Sequence, residues 1–178
     1  IKKDKKNLDA YRILGEIYLN QKKYSDAIFF FEKSLEFFHL QPLVLNNCGI
    51  CLLFLGDLEK AKKYLEKAIE INPDFEDALF NKALVLEKQG DYSNAINIHS
   101  EILQKNPKLI HSFYKLTSLY FATNQYGLAF ENLNNQINKN PESDDAIFYQ
   151  ERSLALVNLK KFNEALDDIN KSIKIGRA

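Results

Sequence analysis

"LGDLEKAKKYLEKAIEINPDF", residues 55–75, holds one complete helix between two stop signals. Gly56 can end a preceding helix in the left-handed conformation, and Asp57 follows where the next helix must be capped. At the far end Asn72 precedes Pro73, and a residue before proline is pushed out of helical geometry. The stretch reads as turn, helix, stop.

The same punctuation returns along the chain. "NPD" at Pro73, "NPK" at Pro107 and "NPE" at Pro141 lie 34 residues apart, and "QGDYSNA" (89–95) and "NQYGLA" (124–129) repeat the mid-row break. A fixed period of this length signals stacked supersecondary units. Laid out at that pitch, the chain divides into rows at 8–41, 42–75, 76–109 and 110–143, with a fifth at 146–178 after a two-residue slip around "ESDDA". Residues 1–7, "IKKDKKN", fall where the close of a preceding second helix is expected.

Each row carries small residues at two places. The eighth position holds Gly15, Gly49, Ala83, Thr117 and Ser153, and the twentieth holds Ala27, Ala61, Ala95, Ala129 and Ala165. Two helices crossing closely need this, because a larger side chain at the crossing typically costs about 1–3 kcal/mol. Between the small residues run large ones at helical spacing: Tyr11, Leu14 and Tyr18; Leu45, Cys48 and Leu52; Phe113, Leu116 and Tyr120. They predict one apolar stripe per helix and a helix, turn, helix unit per row.

These residues resemble the tetratricopeptide repeat. "YRILGEIYLNQKKYSDAIFFFEKSLEF" (11–37) fits its pattern except at the terminal proline, where His39 stands. The resemblance covers residues 8–178 and implies an all-α fold: a right-handed superhelical solenoid of about five antiparallel helix pairs, with the first helices lining a concave groove. Each pair exposes an apolar face that only a neighbour covers, so the chain is expected to be an excerpt from a longer array or a multidomain protein.

Composition narrows function further. The 178 residues carry 24 basic and 24 acidic side chains, and this balance argues against nucleic acid or anionic membrane as the main partner. No stretch approaches the roughly 20 apolar residues of a membrane helix. The chain has no Met and begins at Ile1, so the natural amino terminus is expected to lie elsewhere, and compartment stays open. Two cysteines, Cys48 and Cys51, share the spacing of redox dithiols and of half a zinc site. Both fall mid-helix at core positions, and no second ligand pair exists, so they read as packing. His39, His99 and His111 lack an assignable nucleophile, while Asp144 with Asp145 and Asp167 with Asp168 read as solvated surface. The "NKS" sequon at Asn170, on a predicted helix, carries almost no weight. No catalytic residue, metal or cofactor is assigned.

What remains is the groove. In the repeat family, positions two, five, six, nine, twelve and thirteen of first helices tend to face it. Here that rule selects Asn46, Asn47, Ile50, Leu53 and Phe54; Phe80, Asn81, Leu84 and Glu87; His111, Tyr114, Lys115, Ser118 and Phe121. Amides can bond a peptide backbone as donor and acceptor, and aromatics stack on side chains at low entropic cost. The site expectation is therefore Asn46, Asn47, Phe54, Phe80, Asn81, His111, Tyr114, Lys115 and Phe121, with a protein or peptide partner. A chaperone-type carboxylate clamp is excluded in this register: only Asn47 matches, with Arg12 and Glu16 before it and Asp77 and Asn81 after. A short asparagine ladder through Asn47 and Asn81 is the other family precedent, set against plain Asn abundance. Phe29 and Phe38 fall where the repeat usually carries polar residues and offer a surface for self-association or for a missing repeat. The alternative to a scaffold is a substrate-recruiting arm of a larger glycosyltransferase- or sulfotransferase-like enzyme.

Overall fold

The computed structural model describes residues 2–139 and 146–177, with side chains from Leu8 onward. Pro141, Asp144, Asp145 and most of the slip around "ESDDA" lie outside the described residues. Ten helices follow in order: α1 (Lys2–Asn20), α2 (Tyr24–Phe37), α3 (Pro42–Leu55), α4 (Leu58–Ile71), α5 (Glu76–Gln89), α6 (Tyr92–Lys105), α7 (Ile110–Ala122), α8 (Tyr126–Lys139), α9 (Ala146–Asn158) and α10 (Phe162–Ile175). There is no strand among the described residues. The protein is all-α, built from helical hairpins as expected. One boundary is corrected: residues 2–7 are the first turns of α1 itself, because nothing in "KKDKKN" breaks a helix and Lys is a good helix former.

The breaks between helices take the form that their residues dictate. Gly56 and Gly90 adopt φ of 84° and 80°, and the Asp57 and Asp91 carboxylates accept the N–H groups of Lys60 and Asn94 at 3.2 and 3.3 Å. The Lys60 side chain, with its backbone N–H, holds Asp57 below the ordinary carboxylate range, and Asn94 does the same for Asp91. Where glycine is lacking, Lys22, Asn124 and Lys160 take the left-handed conformation instead. Gly127, inside "NQYGLA", is simply part of α8.

Asn72 is extended, and its side chain accepts the Asp74 N–H at 3.3 Å; Asn106 accepts that of Lys108 at 3.3 Å. These two Asn-Pro pairs therefore stop a helix and also close an Asx turn. The first row has no terminal proline, and a staple replaces it. Gln41 donates its amide to the carbonyls of Ser34, at 3.1 Å, and Phe38, tying the end of α2 to the start of α3.

The helices fall into two compact units that divide between Ile102 and Leu103. In the first unit Phe31 of α2 packs with Val44, Cys48 and Cys51 of α3, and Leu65 of α4 packs with Ala78 and Val85 of α5. In the second, Leu133 and Ile137 of α8 pack with Phe148 and Tyr149 of α9. Full burial of a Leu or Phe stabilises by about 1.5–3 kcal/mol, and Phe31, Leu65 and Leu133 are all 0% exposed. The small positions permit this approach: a Cβ on Gly49 would lie 2.5 Å from Leu65 Cγ, and one on Gly15 would collide with the Phe31 ring.

Two expectations change here. Leu14, placed in the apolar stripe of α1, is 37% exposed, on a face of α1 that no helix of the described residues covers. Asp168, read as solvated surface, is 6% exposed and receives Arg152 Nε and Nη2 at 2.8 and 2.7 Å, while Arg152 Nη1 donates to Asn134 Oδ1 at 2.7 Å. A bidentate guanidinium supplies what a buried carboxylate needs.

Candidate functional site

In the first unit the candidate surface is built on α3 and α5. On α3, Asn47, Ile50 and Phe54 share one helical stripe. Asn81 of α5 donates its amide to Asn46 Oδ1 at 2.9 Å, and Asn46 donates in turn to Asn47 Oδ1 at 3.5 Å. Three amides thus form a chain between two first helices. Its bonds run from Asn81 to Asn46, where ladder spacing alone would pair Asn81 with Asn47.

This chain corrects part of the site expectation. Asn46 and Asn47 are only 3% and 9% exposed, so they are buried rather than open to a ligand, and their polar groups are turned to one another. Burying an amide without partners is costly, and the adjacent helix offers the nearest ones. Asn81 is half-buried and keeps its carbonyl oxygen and second amide proton outside that bond. Leu53 belongs to the core with Leu52 and Val85. Phe80 is half-buried and sets its ring edge-on to buried His99 of α6, with centroids 5.3 Å apart. Phe54 remains the open aromatic: it is 63% exposed, and one ring face stacks on Tyr24 at 4.8 Å. An exposed ring braced on one side is a preformed platform.

The second unit holds the remaining candidates on α7. His111 is exposed, whereas Tyr114, Lys115 and Phe121 are half-buried. Tyr114 stacks on Phe148 of α9 at 6.0 Å, and Phe121 leans on Tyr126 at the start of α8.

The clamp exclusion gains a physical reason. Arg12 Nη1 bonds Glu16 at 2.7 Å and its other nitrogen lies 3.9 Å from Asp9, so the cation of that row is already engaged. The cysteines are also settled as packing. Both are 0% exposed, and burial pushes the Cys51 thiol up to about 11 and that of Cys48 higher still. Thiols held protonated in this way are poor nucleophiles and poor metal ligands. Among the described residues no group of three or more His, Cys, Asp or Glu could hold a metal ion, and no helix is long and apolar enough to cross a membrane.

One feature escaped the sequence. A pocket of about 370 Å³ opens beside the Gln41 staple, walled by Leu35, Leu40 and Leu45 with His39, Lys67 and Glu70 at its rim. It lies at the loop after α2, the one that lacks the Asn-Pro turn, and no motif announces it.

Helical hairpins with small residues at the crossings, packed on their neighbours within each unit, define a helix-hairpin repeat protein. The chain belongs to the tetratricopeptide repeat family, whose models match residues 8–37, 42–75 and 64–97. Along its sequence it is similar to stress-induced-phosphoprotein 1 of Caenorhabditis elegans, at 25% identity over 98% of this chain and 54% of that protein. It therefore spans about half the length of that curated relative. In structure it is similar to MamA of Desulfovibrio magneticus RS-1, with a TM-score of 0.81 at 20% identity, covering 96% of each chain. It is also similar to YrrB, described as a TPR protein with an unusual peptide-binding site, with a TM-score of 0.75 at 16% identity over 93% of this chain and 84% of that one.

Proposed function

We propose that the chain is a non-catalytic interaction scaffold that holds an extended segment of a partner protein against its first helices. The observation that carries this reading is the surface of α3 and α5: an amide chain that ends in half-exposed Asn81, beside a stripe that ends in the braced, exposed ring of Phe54. Asn81 offers both senses of hydrogen bond to a peptide backbone, and Phe54 offers an apolar face to a side chain. The buried Asn46 and Asn47 act behind them by fixing the Asn81 amide. In the second unit His111, Tyr114, Lys115 and Phe121 are proposed as contacts of the same kind. Peptide binding by YrrB, as its description states, supports the reading by family likeness.

The test is selection of extended peptides from a displayed random library on the folded chain, followed by titration against Phe54→Ala and Asn81→Ala. Loss of a desolvated aromatic anchor is expected to weaken binding at least about 10-fold. Asn46→Ala should instead lower stability, by about 1 kcal/mol, through the lost bond to Asn81. Peptides that bind all three variants like the parent would move recognition off α3 and α5.

A further inference from the structure

The cavity beside the Gln41 staple lies wholly within the first unit, where the end of α2, the loop after it, the start of α3 and the face of α4 meet. Its walls are the side chains of Leu35, Leu40, Leu45 and Ile71 and the ring of Tyr64. Hydrogen bonds within the chain hold those walls in place. Gln41 ties its loop to α2 through the Ser34 and Phe38 carbonyls, and the Tyr64 hydroxyl donates to Glu32 at 2.8 Å. A preformed, mostly apolar space of about 370 Å³ falls near the lower end of small-molecule sites, so it suits a compact ligand.

The same place recurs two repeats on, built from different residues. There Leu103, Pro107, Phe113 and Asn132 stand where Leu35, His39, Leu45 and Tyr64 stand in the first unit, and Lys139 replaces Ile71. That space is only about 110 Å³, with Asn132, Asn135 and Gln136 in its lining. The wide apolar form is therefore a property of the residues around the first loop and not of the repeat.

The rim supplies charge of both signs. Lys67 and Glu70 stand one turn apart on α4, yet among the described residues neither side chain is bonded to the other or to a further polar group. The Lys67 ammonium only overhangs the Tyr64 ring, 6.0 Å from its centre. Lys ahead of Glu is the weaker order for such a helical pair, which favours leaving both ends to a ligand. His39 adds a third polar group to the rim from the loop.

We infer that this cavity binds a free α-amino acid with an apolar side chain, of the size of leucine or phenylalanine. The side chain fills the space between Leu35, Leu40, Leu45 and Tyr64, while the α-carboxylate meets Lys67 and the α-ammonium meets Glu70. An α-amino acid carries one apolar group and both charges on a single carbon, and it is neutral overall, as Lys67 and Glu70 are together. A simple carboxylate would leave the Glu70 charge without a partner, and a simple amine would leave that of Lys67. The site is separate from the peptide surface on α3 and α5, so its failure would leave that reading untouched.

Titration of the isotope-labelled chain with L-phenylalanine, followed by amide NMR shifts, tests the inference. Shifts should centre on residues 35–45 and 64–71, with a dissociation constant on the order of 0.1–1 mM for a ligand of this size. 3-Phenylpropanoate, which lacks the ammonium, and phenethylamine, which lacks the carboxylate, should each bind at least about 3-fold more weakly, the scale of one exposed ion pair. Lys67→Gln should weaken phenylalanine by a similar factor without weakening phenethylamine, and Glu70→Gln should weaken phenylalanine without weakening 3-phenylpropanoate. His39→Pro/Leu40→Lys, which gives the loop the pair found at Pro107 and Lys108, should abolish saturable binding, with circular dichroism as the check on folding. No shift at about 20 mM phenylalanine would overturn the inference, as would Lys67→Gln and Glu70→Gln chains that bind it like the parent. N-acetyl-L-phenylalaninamide binding as tightly as phenylalanine would overturn it in favour of an internal side chain of a partner peptide.

Discussion

Raising the pH from about 8 to about 11 should loosen the first unit through its two cysteines. Cys51 is 0% exposed and burial pushes its thiol up to about 11; Cys48, equally buried, is pushed further by burial and then by the neighbouring Cys51. In the unfolded chain both thiols ionise near their ordinary value of about 8.5–9. Above that value the unfolded state releases protons that the native state retains. Native binding then exceeds unfolded binding, and stability falls as pH rises. Each pH unit within the window is worth about 1.4 kcal/mol per thiol, so Cys51 alone removes up to about 3 kcal/mol by about pH 11, and Cys48 adds in the same direction. Below about pH 8.5 neither thiol contributes any slope. Urea unfolding across this range, in the parent and in Cys48→Ala/Cys51→Ala, isolates the effect, because lysines and tyrosines titrate in both proteins. The variant should show the shallower decline, whatever stability it loses through the smaller side chains. In the native parent, labelling of both thiols at about pH 8 should be on the order of 10³-fold or more slower than in a short peptide, since it must await opening of the core. Equal pH slopes in the two proteins, or native thiols that label at the peptide rate, would refute the reasoning.

Three further outcomes follow from the packing. Arg152→Leu leaves the Asp168 carboxylate buried and unpaired and should cost about 3–5 kcal/mol by urea unfolding, whereas Arg152→Leu/Asp168→Leu should recover most of that loss. Gly49→Ala sets a methyl group against Leu65, and the overpacking of about 1–3 kcal/mol should outweigh a helix-propensity gain of about 1 kcal/mol; adding Leu65→Val should raise the melting temperature again. Lys22→Gly and Lys160→Gly relieve left-handed backbone at a residue with a Cβ, and each should raise stability by about 1 kcal/mol in thermal melts.

Fold was legible in the sequence because it rests on repetition. Ala27, Ala61, Ala95 and Ala129 are each 0% exposed at the place the period assigned them, and Gly56 and Gly90 turn where they stand before Asp. The site was less legible because facing direction depends on neighbours distant in sequence. Asn47 was chosen by its place on α3, but the packing around that helix leaves it only 9% exposed, with its carbonyl taken by Asn46. Phe80 obeys the same positional rule and turns to His99, a partner that the rule cannot see. Asp168 needed Arg152 and Asn134, from two other helices, before it could be placed in the core. The left-handed Lys22 and Lys160 carry no residue-type signal at all, since a turn's geometry can be imposed by the helices on either side of it.

The polar pairs at the helix crossings also bear on how such a chain avoids folding incorrectly. A sequence that nearly repeats itself could slide by one whole unit during folding and still meet similar apolar surface. Lys82 with Glu66 and Arg152 with Asn134 occupy the same geometric place at two junctions, yet they differ in charge and reach. A slipped alignment that set Cys48 opposite Glu66 would offer that glutamate no cation, and one that set Lys82 opposite Asn134 would exchange an ion pair for an amide. The pairs thus differ from junction to junction, so that a hairpin meets its full polar match only at its own neighbour.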